Sequence, residues 1–403
     1  MPTADIPAQR VDPTGFASGV KRFRADAASQ SLTRGFDWPL LLAAVGLAIC
    51  SVVVLGGATK NDVPGSPHFY VMRQAIFSVV GLTLLLVVSR IDYSRLRELR
   101  TQIYALLVAS NVFVLVVGAA AKGSRRWIDV GFFQIQPSEL GKVLLILTLG
   151  GFIADRARDH HGQGIMLPVL GLTAIPAGLV FLQPDLGSAM VYGAIAVTML
   201  FVAGIPWQQL AALSMAIVVV IVGVLWAAPT AGMPILHDYQ TARLTSFLHP
   251  NDDPGGYAFQ QTQGEIAIGA GERIGRGTEN ATQTQLNFVP EHHTDFIFAV
   301  VGEAYGFAGA ALVLTLYALL IWRGLRILAL ARDQFGALIA AGVVAILMFQ
   351  VFVNVGMNVG IMPITGVTLP LMSYGGASML STFIALGLLQ SVAVHSRHEG
   401  AFS

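Results

Sequence analysis

The sequence predicts an all-α integral membrane protein of about ten transmembrane helices, with a long extracytoplasmic loop between the seventh and eighth. Three observations carry this. Of 403 residues, 54% are hydrophobic and only 12% are charged, against roughly 25% charge in an average soluble protein. The apolar residues gather into runs close to the roughly 17–25 residues that a bilayer crossing takes. Between the runs, basic residues crowd one side, as membrane topology demands. A chain of several soluble domains is excluded. The net charge of +1 says nothing of an anionic partner, and no feature points to nucleic acid. The single cysteine, Cys50, excludes an intramolecular disulfide.

In chain order, residues 1–36 are polar, rich in Ala, Ser and Arg, and read as a mobile cytoplasmic tail. No apolar core precedes the first long run, so they are not a signal peptide. Residues 37–403 form the membrane domain. Its spans are expected near Trp38–Ala58, Val71–Ser89, Gln102–Ala121, Glu139–Ile153, Ile165–Leu182, Ser188–Ala203, Gln209–Ala228, Phe296–Trp322, Phe335–Met357 and Met379–Val394. The fourth and sixth are short, which suits tilted or irregular segments. An even number of spans puts both termini on one side. Most of the 24 lysines and arginines fall on that side, so both termini are expected in the cytoplasm. The chemically unusual residues then lie on the opposite side, in links 122–138, 183–187, 229–295 and 358–378. The 229–295 loop is too long for a passive connector. No internal repeat is evident.

The most informative stretch runs from Phe288 to Gly306. Pro290 keeps Val289 extended, polar residues end in Asp295, and a strongly apolar run begins at Phe296. Thr294 or Asp295 is a natural N-cap, and a carboxylate there is favoured in its charged form by the helix dipole. The plainer reading is a cap with a polar lead-in. Neighbouring His292 and His293 do not share a helix face as a zinc pair would, which argues against metal binding.

Three further links add polar groups to the same side. In the first, Arg125 and Arg126 suit phosphate oxygens through the bidentate guanidinium fork. Trp127 offers a face for a sugar ring or serves as an interfacial anchor. Ser138 is placed as an N-cap, and Glu139 and Lys142 share a helix face just inside the membrane, as a functional or mutually neutralising pair. In the second, Gln183-Pro184-Asp185-Leu186-Gly187, Asp185 caps the next span or joins Glu139 and Asp295. Three acidic residues and several arginines on one side fit a charged, phosphorylated substrate. The glycine-rich 269–277 run lacks the strand–helix context of a nucleotide site and reads as part of a flexible loop over a cavity. The last link, Asn354 to Ser378, is apolar but studded with Gly and Pro, so it reads as a buried re-entrant wall.

Together, Arg126-Trp127-Ile128, Gln136-Pro137-Ser138-Glu139, Gln183-Pro184-Asp185-Leu186-Gly187, Pro290 to Phe298, and Ser373-Tyr374-Gly375-Gly376 resemble, in order, the motifs of the SEDS family (shape, elongation, division and sporulation). The likeness covers nearly everything after residue 37. Phe288-Val289-Pro290-Glu291, Arg323-Gly324-Leu325-Arg326 and Asn354-Val355-Gly356-Met357 look more like elongation than division members. Gly264, Glu272-Arg273 and Ala304-Tyr305 depart from the family pattern. The resemblance implies a peptidoglycan glycosyltransferase in the bacterial cytoplasmic membrane that polymerises lipid II into a nascent glycan strand. It implies Asp295 as general base, Arg126, Lys142 and Arg243 near the pyrophosphate, and Trp127 packing on the substrate. Glu139, Asp185 and Ser373 are placed at the same substrate site. A divalent cation, Mg²⁺ or Mn²⁺, is able to bridge pyrophosphate oxygens, although no all-protein cage is visible. The expected partner is a class B penicillin-binding protein, a transpeptidase, lying against the eighth and ninth spans and the long loop. A lipid II flippase would need charged groups along the whole path, and a non-catalytic scaffold would not need Asp295.

Overall fold

The computed structural model describes residues 35–121, 124–129, 131, 134–160, 164–222, 246–247, 256–286, 288–289 and 291–396. Its helices are α1 (Trp38–Ala58), α2 (Phe69–Val88), α3 (Ser94–Glu98), α4 (Arg100–Val117), α5 (Pro137–His160), α6 (Met166–Leu182), α7 (Leu186–Val202), α8 (Trp207–Val222), α9 (Tyr257–Ala270), α10 (Thr282–Gln285), α11 (Ile297–Ala329), α12 (Gln334–Asn358) and α13 (Gly376–Ser396). A helix stands at every predicted span position. Seven of them, α1, α2, α4, α5, α11, α12 and α13, are long and apolar enough to cross a bilayer. The apolar α6 and α7 have 17 residues each and α8 has 16, at the short end for a crossing. The chain is a multi-pass membrane protein.

The all-α expectation needs one correction. Ala119–Ala121 (β1), Ser124–Asp129 (β2) and Gln134–Ile135 (β3) form a three-stranded antiparallel sheet in the order β1-β2-β3. The third span, expected to reach Ala121, stops at Val117 because Gly118 turns extended at φ −57, ψ 139. The strand ladder then satisfies backbone groups that a plain loop would leave open.

α12 is the central post, packing on α5, α7, α11 and α13. Every residue from Leu338 to Leu347 is buried, as a helix surrounded by other helices requires. α2 and α4 turn most of their surface outward. One end of the bundle gathers arginines. There Arg323 Nε donates to both Asp37 oxygens at 2.9 and 3.1 Å, and Arg97 and Arg100 both pair with Asp155. Gly35 abuts the backbone of Val394, so the two ends of the described chain meet at this end.

α11 is not one continuous helix. Its 33 residues would extend about 50 Å at 1.5 Å per residue, well past the about 30 Å hydrocarbon core. It breaks at Gly306, with φ 62 and ψ −159. The segment 272–277 satisfies the groups freed there. Phe307 and Ala308 N–H donate to the Glu272 and Arg273 carbonyls at 2.9 and 3.0 Å, and Arg276 and Gly277 N–H donate to the Glu303 and Ala304 carbonyls at 3.0 Å. The backbones approach so closely that a Cβ on Gly275 would stand 2.2 Å from the Ala304 oxygen. The glycines expected in a flexible cover are thus a backbone patch on a broken helix. Buried Glu303 secures the next segment, accepting from Gln283 N, Thr284 N and Thr284 Oγ1 at 2.8, 3.0 and 2.7 Å. α9 packs on α11, and Ala267, Val289, Phe296, Ala299 and Ile364 make a small second core there.

Candidate functional site

Residues 291–296 form a turn, and the N-cap of α11 is Phe296, without a side-chain cap. This corrects the expected cap by Thr294 or Asp295. The missing acceptor comes from the end of α12, where Asn358 Oδ1 accepts from Ala299 N at 3.1 Å, an amide in the first turn that a local cap normally serves. Three consecutive carbonyls of the turn are held by tertiary donors. Tyr374 N donates to the His293 oxygen at 2.8 Å, and Ser373 Oγ to the Thr294 oxygen at 2.6 Å. Asn354 and Asn358 Nδ2 donate to the Asp295 oxygen at 2.9 and 3.1 Å. Asp295 therefore sits on a main chain fixed from outside.

Residues 359–375 are irregular, as the sequence suggested, and Leu369 to Ser373 are buried within them. Polar side chains from the apolar α1 and α2 hold them. Ser51 Oγ donates to the Met372 oxygen at 2.7 Å, and Gln74 Nε2 donates to Ser51 Oγ and the Ser373 oxygen at 2.9 and 3.1 Å. Ser373 Oγ also accepts from Leu369 N at 2.8 Å, so this hydroxyl braces the turn of Asp295. Burial raises the Tyr374 phenol above its ordinary range, opposed by its hydrogen bond with Arg73.

A second buried group surrounds Asp185. Its Oδ2 accepts from Gln136 Nε2 at 2.8 Å and Ser138 Oγ at 3.2 Å, while Oδ1 caps α7 through Ser188 N at 3.1 Å. Ser138 lies inside the first turn of α5, which starts at Pro137, so the capping role expected of it is not realised. Next to it, Lys142 Nζ donates to Glu139 Oε1 at 2.7 Å, with both side chains buried, and Ser381 Oγ donates to Glu139 Oε2 at 3.4 Å. The irregular segment joins the two groups. Asn354 Nδ2 bonds the Val367 oxygen at 2.8 Å as well as Asp295, and Val367 and Thr365 press against Gly187 in the Asp185 turn.

Arg126 and Trp127 stand half-buried on β2, whose partner strand β3 leads into α5. Arg126 Nε is buried without a hydrogen-bond partner. Arg243 lies outside the described residues. The sequence reading passed over Ser51, Gln74, Asn354 and Asn358 as site residues. Their signal was available, because an uncharged polar side chain inside an apolar span needs a partner. It also set His292 and His293 aside. In the structure they lie in a turn, and a ring nitrogen of each comes within 4.8 Å of the other and of an Asp62 oxygen.

These features define a class: a multi-pass helical membrane protein with a preorganised polar site at one end, framed by two broken or irregular segments. The chain belongs to the FtsW/RodA/SpoVE cell cycle protein family, whose profile matches residues 37–398; the motifs quoted above carried that family resemblance. It is 35% identical over 364 residues to the peptidoglycan glycosyltransferase MrdB of Escherichia coli (strain K12), covering 90% of this chain and 94% of that protein. It is 38% identical over 360 residues to the probable peptidoglycan glycosyltransferase FtsW of Thioalkalivibrio sulfidiphilus (strain HL-EbGR7), covering 88% and 87%. Among solved structures it is similar to a chain from a peptidoglycan synthase complex that coordinates polymerization and crosslinking. That match has TM-score 0.76 and 31% identity, over 90% of this chain and 99% of that one. The rod shape determining protein RodA of Thermus thermophilus matches with TM-score 0.64 and 29% identity, over 90% and 98%.

Proposed function

We propose that this chain is a peptidoglycan glycosyltransferase that polymerises lipid II at the outer face of the bacterial cytoplasmic membrane. Family membership supports the reaction class. One observation carries the mechanism: the turn that holds Asp295 is fixed through its main chain by Asn354, Asn358 and Ser373, and Asn358 Oδ1 also accepts from Ala299 N at the start of α11. A sugar hydroxyl is a poor nucleophile at neutral pH and needs such a positioned base. The 4-hydroxyl of a GlcNAc gives its proton to Asp295 as it attacks the anomeric carbon of MurNAc, and undecaprenyl pyrophosphate leaves with the bonding pair. Preorganised cations stabilise that leaving group. Arg126, with its buried open Nε, and Arg243 are assigned there, and Trp127 packs on a sugar. Lys142 reaches the pyrophosphate only by exchanging its Glu139 partner. Asp185 and Ser373 act as positioning residues for the substrate wall. Mg²⁺ or Mn²⁺ takes oxygen ligands, and no oxygen-only cluster stands out among the described residues, so no step is assigned to either ion.

The decisive variant is Asp295→Asn. It is nearly isosteric and leaves the clamping carbonyl in place, so folding is unchanged. Loss of a general base costs about 10²–10⁴-fold in rate, and lipid II polymerisation by the purified protein should disappear from an ordinary gel assay. Near wild-type polymerisation by a normally expressed variant would exclude Asp295 as the base.

The partner reading is a class B penicillin-binding protein seated on α11 and α12. α11 exposes Phe307, Leu312 and Trp322, and the otherwise buried α12 exposes Met348 and Phe352, side chains suited to lipid or a partner helix. Photocrosslinkers at Phe307 and Phe352 should capture such a transpeptidase. Capture from α2 and α4 instead would move the interface. An elongation role, favoured by the three sequence segments named above, predicts rounded cells on depletion; filaments would assign the protein to the septum.

A further inference from the structure

We propose that Asp62, His292 and His293 form a binding site for a divalent first-row transition ion, Zn²⁺ above all, tying the α1–α2 connection to the turn that carries Asp295. His292 is buried. Its Nδ1 lies 3.2 Å from the Val289 carbonyl oxygen, which can only accept, so Nδ1 carries the ring proton. Its Nε2 lies 3.1 Å from Asp62 Oδ2. In the neutral ring these are two acceptors face to face, and something positive belongs between them, either a proton or a cation. A second imidazole decides for the cation. One ligand atom from each of Asp62, His292 and His293 falls within 4.8 Å of the others.

The dimensions are close. Zinc binds imidazole nitrogen and carboxylate oxygen at about 2.0–2.2 Å, which at tetrahedral angles puts ligand atoms about 3.3–3.6 Å apart, and the Nε2–Oδ2 separation of 3.1 Å is about 0.2 Å short of that. The bond from Nδ1 to a main-chain carbonyl is the outer contact that usually fixes the tautomer of a metal-binding histidine. The His293 ring is packed by Tyr70 and Tyr374, with centroids 4.7 and 5.9 Å away, which fixes its direction too. Two imidazoles and one carboxylate suit zinc and its neighbours rather than magnesium or calcium. Three protein ligands leave a fourth position open. Adjacent histidines fail as a helical zinc pair, but in a turn they converge. The inference concerns metal binding by the folded chain and does not rest on the glycosyltransferase reading.

The test uses the full chain, purified in detergent with a tag free of histidine and stripped with a chelator. Zn²⁺ is titrated in competition with a chromophoric chelator, and Co²⁺ is added separately to record visible absorption. The expected result is one zinc per chain and a cobalt spectrum with nitrogen–oxygen ligation. Asp62→Asn and His292→Ala should each weaken zinc binding at least about 100-fold, beyond the 10–100-fold that loss of an outer partner costs. His68→Ala, an exposed histidine in the same connection, should bind as wild type. Should His292→Ala fail to elute as a single folded species, the nearly isosteric Asp62→Asn decides. No zinc uptake by the stripped wild type, or equal affinity in Asp62→Asn, overturns the proposal and leaves an imidazolium–aspartate pair in its place.

Discussion

Asn354 and Asn358 stand one turn apart on α12 and decide where Asp295 is. Asn358 both accepts from Ala299 N and donates to the Asp295 oxygen, and it is fully buried. Asn358→Ala therefore leaves the buried Ala299 N–H without its acceptor and the Asp295 oxygen with Asn354 alone, at about 1–3 kcal/mol. The expected outcome is a lower melting temperature of the detergent-solubilised protein together with slower lipid II polymerisation, although the carboxylate remains. An unchanged melting temperature would show that the clamp contributes nothing to the fold. The start of α11 was legible in the sequence because polarity changes abruptly between Asp295 and Phe296. Asp185 was legible as a cap because Asp185-Leu186-Gly187-Ser188 presents Ser188 N at the right spacing, and the structure uses it so. The asparagines were not read as clamps because Asp295 and Ala299, which they hold, lie 59 or more residues away in sequence. Local pattern gives the need for a partner and not its identity.

At the scale of elements, α11 shows how a long apolar run misleads. Composition alone reads Phe296 to Trp322 as one crossing, and Gly306 inside it is an ordinary tolerated glycine. Its positive φ arises because segment 272–277 pairs with the opened backbone, and that segment needs Gly271 and Gly275 to approach. Gly275 sits at φ +84 with the Ala304 oxygen 2.2 Å from where a Cβ would stand. Gly275→Ala should therefore cost more than the about 1 kcal/mol at which a compatible substitution changes stability. We expect a fluorescence-detected gel-filtration profile shifted from a single peak towards aggregate. A wild-type profile and melt would mean that the 272–277 pairing does not hold α11. The β1–β2–β3 sheet was missed for a related reason: three alanines read as helix, and only pairing with β2 turns them into a strand.

For the whole molecule, the arginine-rich end holds Asp37, Arg323, Arg97 and Asp155, and the site occupies the other end. We expect reporter fusions after Arg158 and at Ser403 to read cytoplasmic and one near Asn280 to read extracytoplasmic. A cytoplasmic signal at Asn280 would put every site residue in the wrong compartment for lipid II polymerisation. By itself, the sequence determined the membrane class and the positions of the long apolar helices. Those follow from hydropathy, charge and turn residues, which act over one or two helical turns. Tertiary structure alone decided that Asn358, from the end of α12, serves an amide at the start of α11. It decided too that Glu139 faces Lys142 in a closed pair, that α11 is broken and patched, and that two histidines converge on Asp62. Each of these is a contact between distant segments, fixed by the requirement that buried polar groups in a low-dielectric interior find partners wherever packing places them.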